Sequence, residues 1–211
     1  MTIDRAGYPF IGGTAVLAVI AALTAGAAVA VPLALLTLFF VYFFRDPNRE
    51  SPQDPRLVLS PADGRVLVAG AADTGAAPPG GWKQISIFLS PMDVHVNRSP
   101  VSGRVTKVDF RRGKFLPAYH RDAAAENERS EVWVDHLGMP IVFRQLVGIL
   151  ARRVVCRTAP GAELKAGERF GIMKFGSRMD VFLPTSADLR VSVGDKVVGG
   201  VTVIAVLSPE P

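Results

Sequence analysis

The chain is poor in the side chains most often recruited for catalysis. It has one cysteine, Cys156, and three histidines, His95, His120 and His136, among 211 residues. A single cysteine closes no internal disulfide and builds no Cys-rich metal site. The histidines stand at no metal-ligand spacing, so no metal centre is expected. Cys156, within the Val-rich "RRVVCRT", reads as a small buried hydrophobe. Recognition motifs for nucleic acid are missing too: the basic residues are scattered, and "FRRGKF" at 110–115 is their only dense group. Charge itself is absent from the 39 residues between Ala6 and Phe44. A bilayer crossing needs about 20 apolar residues, and a secretory signal has an apolar region of only about 7–15, so this run reads as retained, membrane-embedded sequence.

Two full spans and a turn need slightly more than 39 residues. A hairpin of two short, tilted helices meeting between Gly26 and Pro32 therefore fits better than one long span. A hairpin keeps Arg5, Arg45 and Arg49 on one side, the cytoplasmic side by the positive-inside tendency, and turns the rest of the chain toward the cytoplasm at the cell membrane. Residues 1–50 balance Asp4, Asp46 and Glu50 against these three arginines, so the formal +5 belongs entirely to residues 51–211. An anionic leaflet attracts such a surface.

After the Pro-rich linker at 45–55 the pattern turns to short apolar runs between turn residues, which predicts a mainly β body over 51–211. Strands are expected at 65–70, 83–90, 103–110, 130–136, 140–148, 151–158, 178–184 and 195–207. A loop is expected at 71–81, and helical composition outside the apolar run occurs only at 120–130. "PADGRV" (61–66) and "SPVSGRV" (99–105) each lead from a proline through a glycine turn into a strand, and "LRVSVGDKVVGG" (189–200) has a Val-Gly-Asp turn. These patterns resemble the barrel-sandwich domains of lipoyl and biotinyl carriers. In such carriers a lysine beside a methionine at a hairpin tip holds the cofactor, and Met173-Lys174 offers that pair. One reading is thus a membrane-tethered carrier or adaptor with Lys174 as the attachment site.

A second reading starts from "GIMKFGSRMDVFLP", residues 171–184. In a constrained Gly-Ser turn the Ser177 hydroxyl can attack the carbonyl of Gly176, its own preceding peptide bond, because glycine leaves that carbon uncrowded. The bond becomes an ester. Elimination at Ser177 and hydrolysis then leave a pyruvoyl group, a ketone that can condense with an amine substrate and accept electrons as carbon dioxide departs. Gly-Ser pairs are common in tight turns, so the neighbouring blocks decide the matter. "GIMKFGSRMDVFLP", together with "LSPADGRV", "SPMDVHVNRSPVSG" and "NER" (127–129), closely resembles the phosphatidylserine decarboxylases, in the short bacterial form with an amino-terminal membrane segment. The resemblance runs from about Phe44 to the C-terminus.

That resemblance implies a proenzyme cleaved at Gly176-Ser177 into residues 1–176 (β chain) and 177–211 (α chain). The two chains stay associated, and the pyruvoyl cofactor is derived from Ser177. It assigns Asp63 and His95 as catalytic helpers, in line with a neutral imidazole oriented by a carboxylate as the base for a serine. It also implies phosphatidylserine in the membrane as substrate, with phosphatidylethanolamine and carbon dioxide as products. The chain departs from longer members at Arg98, where they carry a second histidine, leaving His95 to serve both steps or His120 to substitute. His136 reads as structural. The sequence does not distinguish which of Arg98, Arg111, Arg112, Lys114, Arg152 and Arg153 meet the lipid phosphate, and it leaves homo-oligomer formation open.

Overall fold

The computed structural model describes residues 1–73, 75, 77–120, 122–148, 154–174 and 176–208. They form two compact units, Met1–Asn48 and Arg49–Pro211.

In the first unit the short strands β1 (Thr2–Ile3) and β2 (Arg45–Asp46) pair antiparallel and bracket two apolar helices, α1 (Tyr8–Thr24) and α2 (Ala27–Phe43). The helices lie antiparallel, because residues near the start of α1 meet residues near the end of α2. Thr37 donates to the Thr14 hydroxyl at 2.9 Å, and the Phe10 and Phe40 rings stand 5.5 Å apart. The turn comes at Ala25–Gly26, where Gly26 takes φ +81°, a backbone region open to glycine at little cost. Pro32 is not at the bend. It lies inside α2, whose preceding turn stays helical. Among the described residues, Arg5–Thr24 is long and apolar enough to cross a membrane, and Ala27–Phe43 is a shorter apolar helix.

The second unit is mainly β. Its strands are β3 (Leu57–Leu59), β4 (Gly64–Ala71), β5 (Lys83–Leu89), β6 (Val96–Arg98), β7 (Gly103–Arg111), β8 (Arg129–His136), β9 (Met139–Val147), β10 (Val154–Cys156), β11 (Glu163–Leu164), β12 (Arg169–Met173), β13 (Ser177–Leu183), β14 (Asp188–Leu189), β15 (Lys196–Val197) and β16 (Val203–Val206). Eight of them make one antiparallel sheet in the order β11-β7-β8-β9-β13-β5-β4-β15, curled as a half-barrel. Two three-stranded sheets, β10-β12-β6 and β14-β16-β3, complete the barrel-sandwich-like body that the turn patterns predict.

Alternation along the strands separates the two faces of the large sheet. On β13, Met179, Val181 and Leu183 join the apolar core with Ile85, Ile87 and Leu89 of β5 and Ile141 and Phe143 of β9. Arg178, Asp180 and Phe182 point to the opposite face and are buried there as well. On that face Arg178 donates to Asp180 at 2.6 Å and to the Ser86 hydroxyl at 2.8 Å. The Arg144 guanidinium pairs with Glu131 and stacks over the Phe182 ring at 4.8 Å.

Most expected strands appear within a residue or two. The run at 195–207 divides into β15 and β16, since Gly199 and Gly200 intervene and Gly200 adopts φ +73°. Only Val154–Cys156 of the run at 151–158 forms a strand in the described residues, and Arg152 and Arg153 lie outside them. The helical composition at 120–130 yields one turn, α3 (Ala123–Glu126).

Candidate active site

Ser177 opens β13, the strand held on both sides by partners: Leu89 of β5 faces it on one side and Val147 of β9 on the other. The residue is fully buried, and its hydroxyl has no hydrogen-bond partner among the described residues. A buried hydroxyl ordinarily finds one. Gly176, just before it, takes φ +72°, so the chain enters β13 through a backbone conformation that a side chain would strain.

The same register, continued one residue, sets Gly148 opposite Gly176. A β-carbon on Gly148 would overlap the Gly176 carbonyl oxygen and would stand 3.2 Å from the carbonyl carbon and 3.4 Å from the Ala118 methyl. The carbonyl preceding Ser177 therefore occupies space that exists only because residue 148 has no side chain. Next to it, Asn127 of the "NER" block is buried and uses both ends of its amide. Its Nδ2 donates to the carbonyls of Leu116 and Val147, each at 2.8 Å, and its Oδ1 accepts from Leu116 N at 2.9 Å. Arg129 of that block donates to the carbonyls of Ala124 and Ala125 at 3.0 and 2.9 Å. Burial, and after it the neighbouring Arg144 and Arg111, lower its pKa from the ordinary arginine value.

His95 arrives from the other flanking strand. After Leu89 the chain turns through Ser90–Asp93, closed by Asp93 N donating to Ser90 O at 2.9 Å and Ser90 N donating to the Asp93 carboxylate at 2.8 Å. The His95 ring is buried, with Nδ1 2.9 Å from the Asp93 carbonyl. A carbonyl only accepts, so Nδ1 carries the hydrogen, and a neutral ring in this position has its lone pair at Nε2, the tautomer a general base needs. The His95 carbonyl accepts from Met173 N at 3.2 Å, tying this segment to the end of β12, four residues before Ser177.

Asp63 is placed differently from the sequence-based picture of a carboxylate oriented on the imidazole. Arg49 grips it at both oxygens, 2.5 and 2.7 Å, and Gly199 N donates to it at 2.8 Å. It thus fixes the "PADG" turn, and the Pro61 carbonyl in that turn accepts from Arg98 N at 2.9 Å. The Arg98 side chain is buried and donates to the Gly167 carbonyl at 2.9 Å. His120 is on the surface near Asp122, and the His136 ring is wedged between the carbonyls of Ser102 and Pro55 at 2.6 and 2.7 Å. Cys156 is half-buried against the core.

Lys174 does not sit at a hairpin tip. The strands on either side of it, β12 and β13, belong to different sheets, which removes the geometry that a carrier lysine requires. Sequence reasoning missed Gly148 and Asp93 as site residues. A glycine ending the expected strand at 140–148 was the available signal for Gly148, because glycine in a strand marks close backbone approach. Among the described residues no cluster of three or more His, Cys, Asp or Glu could hold a metal.

A family model described as phosphatidylserine decarboxylase matches residues 36–205. A protein of Neisseria gonorrhoeae (strain NCCP11945) named phosphatidylserine decarboxylase proenzyme is 44% identical over 204 residues, covering 96% of this chain and 78% of its own. A protein of the same name from Pelobacter propionicus (strain DSM 2379 / NBRC 103807 / OttBd1) is 43% identical over 208 residues, covering 94% of this chain and 93% of its own. The chain belongs to the phosphatidylserine decarboxylase family.

Proposed function

We infer that the chain is a proenzyme that cuts itself between Gly176 and Ser177 and, once cut, decarboxylates phosphatidylserine to phosphatidylethanolamine and carbon dioxide. The observation that carries this reading is the buried, unpartnered Ser177 hydroxyl beside a glycine carbonyl held in a positive-φ turn. In self-cleavage the hydroxyl oxygen bonds to the Gly176 carbonyl carbon and its proton passes to His95 Nε2. The Ser177 nitrogen takes up a proton as the peptide bond breaks, leaving an ester. Loss of the Ser177 α-proton expels the Gly176 carboxylate, and water then releases ammonia from the remaining unsaturated residue. Residues 177–211 are left headed by a ketone. The residues fit this group: β13 stays paired to β5 and β9 along its length, which holds the new terminus and keeps the two chains associated.

The pyruvoyl group supplies an electron sink for the loss of carbon dioxide from an amine-bearing carbon. His95 Nε2 holds the proton that returns to that carbon. Arg98 is fixed on the Gly167 carbonyl and His120 is on the surface near Asp122, so His95 serves both steps. Asp63 acts as a positioning residue: through Arg49 and Gly199 it holds the turn on which β6, the strand following His95, is hung. Residues 1–50 form the membrane anchor and linker, and residues 51–211 the catalytic domain. The apolar helices lie in the cell membrane with Arg5, Arg45 and Arg49 on the cytoplasmic side.

Denaturing mass spectrometry with a carbon dioxide release assay on phosphatidylserine vesicles tests the reading. Two chains and product are expected. One intact chain that still releases carbon dioxide would sink the pyruvoyl mechanism, and two chains without product would sink the substrate assignment.

A further inference from the structure

Six consecutive residues, Phe110 to Phe115, are exposed. Phe110 is 53% and Phe115 40% exposed, Tyr119 further on is 65% exposed, and Met92 in the turn before His95 is 58% exposed. Arg111 and Arg112 lie among them, and Lys114 pairs with Glu126 at 2.7 Å. Large exposed apolar side chains along one edge of a fold and mixed with cations mark a surface that meets something other than water.

Its position follows from the strand register. Arg111 pairs with Arg129, Arg129 with Leu146, and Leu146 with Arg178, so residues 110–115 leave the sheet at the end where β13 begins with Ser177. Met92 belongs to the turn that follows Leu89, the β5 partner of Ser177. The Tyr119 ring packs edge-on against Phe88 at 6.0 Å, and Phe88 pairs with Arg178. Strands stand about 4.8 Å apart, so the row from β7 to β13 spans about 15 Å.

The segment is built and held. Lys114 N donates to Glu126 O at 2.8 Å and Glu128 N to Lys114 O at 3.1 Å, while a β-carbon on Gly113 would stand 2.7 Å from Glu128 N. Asn127 fastens Leu116 and the Ser177-facing Val147 with one side chain. The exposed residues therefore need little ordering before they bind.

We propose that this end of the sheet is a second lipid-contacting surface, separate from the apolar helices. Phe110, Phe115, Tyr119 and Met92 enter the interfacial layer of an anionic bilayer, and Arg111 and Arg112 meet lipid phosphates. Aromatic side chains favour that layer, and each cation near an anionic leaflet contributes about fivefold in affinity. The formal +5 of residues 51–211 favours lipid over an acidic protein face of unknown shape, because the substrate class is itself an anionic lipid. The proposal rests on the decarboxylase reading and deepens it: the headgroup reaches the Ser177 row while the acyl chains remain in the bilayer.

The test uses the full chain in phosphatidylcholine vesicles containing phosphatidylserine. With Cys156→Ser as background, an environment-sensitive dye is placed at Phe115→Cys or at Leu137→Cys, the latter in the β8–β9 turn at the far end of the strands. The label at 115 is expected to shift to the blue and to be quenched by lipids brominated on the acyl chains, while the label at 137 keeps a water-like spectrum. Turnover is then read as a ratio, vesicle substrate over a short-chain soluble phosphatidylserine. Phe110→Ser, Phe115→Ser and Tyr119→Ser together should lower that ratio on the order of tenfold, and Arg111→Gln with Arg112→Gln should flatten its dependence on salt.

An unquenched label at 115 with an unchanged ratio overturns the proposal. So does a blue shift that needs no lipid and grows with protein concentration, which would mean a second copy covers this face. An uncut chain, or one releasing no carbon dioxide from either substrate, would instead defeat the decarboxylase reading, leaving the quenching result to stand alone.

Discussion

The carbonyl of Gly176 fills the space that a β-carbon on Gly148, opposite it in the register of β9 and β13, would need. The self-cleavage reading turns this packing into a kinetic statement, because the carbonyl that Ser177 attacks can be moved by a single methyl group. Gly148→Ala is expected to fold and remain one chain, with cutting slowed about a hundredfold, the effect of displacing a reacting atom by about 1 Å. Circular dichroism and denaturing electrophoresis over time check it. A folded Gly148→Ala protein that cuts at the wild-type rate would show that the contact is packing alone.

Asn127 gives a prediction about stability that is independent of chemistry. Asn127→Ala leaves the part-buried Leu116 carbonyl and the buried Val147 carbonyl, the latter opposite Ser177, without this donor. Each lost partner costs about 1–3 kcal/mol, so a fall of several degrees in Tm is expected, measured on a Ser177→Ala background that cannot cut. An unchanged Tm would mean that water replaces the amide.

The second face of β13 makes a further prediction. Asp180 is fully buried and ion-paired to Arg178 at 2.6 Å. Removing one partner of such a pair strands the other's charge, at a cost of about 3–5 kcal/mol. Asp180→Ala should therefore lower the denaturant midpoint by far more than Asp188→Ala, whose carboxylate pairs on the surface with Arg190. Equal shifts would place the Arg178 charge in contact with solvent.

How much of this was legible in the sequence depends on the distance over which each feature is encoded. The strands at 65–70, 83–90 and 178–184 could be read from alternation and turn residues because those signals are local. The break between the apolar helices was legible as a weak point, but it fell at Gly26, whose backbone freedom permits the turn, while α2 absorbed Pro32. Ser177 and His95 could be named from motif blocks. Their setting could not: Gly148 opposite Gly176, and Arg49 on Asp63, join residues far apart in the chain, and neither partner's local sequence advertises the other. The carrier reading of Met173-Lys174 failed for the same reason, since only the topology shows that β12 and β13 are not a hairpin.

His95 tests the proton route. Its tautomer is set by the Asp93 carbonyl, and in the proposed mechanism Nε2 is the base. His95→Ala should fold and cut about 10²- to 10⁴-fold more slowly, the usual contribution of a positioned base. Any fraction that does mature should still release carbon dioxide slowly, since the same nitrogen returns the proton. Normal cutting with normal turnover would remove His95 from both steps and turn attention to His120.

The sharpest expectation concerns Ser177 itself. A serine hydroxyl buried without a partner among the described residues and preceded by a positive-φ glycine is poorly explained as a packing residue, and well explained as a group consumed during maturation. Wild-type protein should appear as residues 1–176 and a 35-residue fragment, 177–211, whose amino terminus resists stepwise degradation because it ends in a ketone. Ser177→Ala has no nucleophile and should stay one inactive chain with the wild-type fold. Ser177→Cys retains one and should cut slowly through a thioester. Cyanoborohydride added together with phosphatidylserine should attach lipid mass to the 35-residue fragment and leave residues 1–176 unmodified, because only the ketone can be reductively joined to the lipid amine. Lipid mass on Lys174 or elsewhere in residues 1–176 would place the reactive group on the wrong chain and refute the assignment of Ser177.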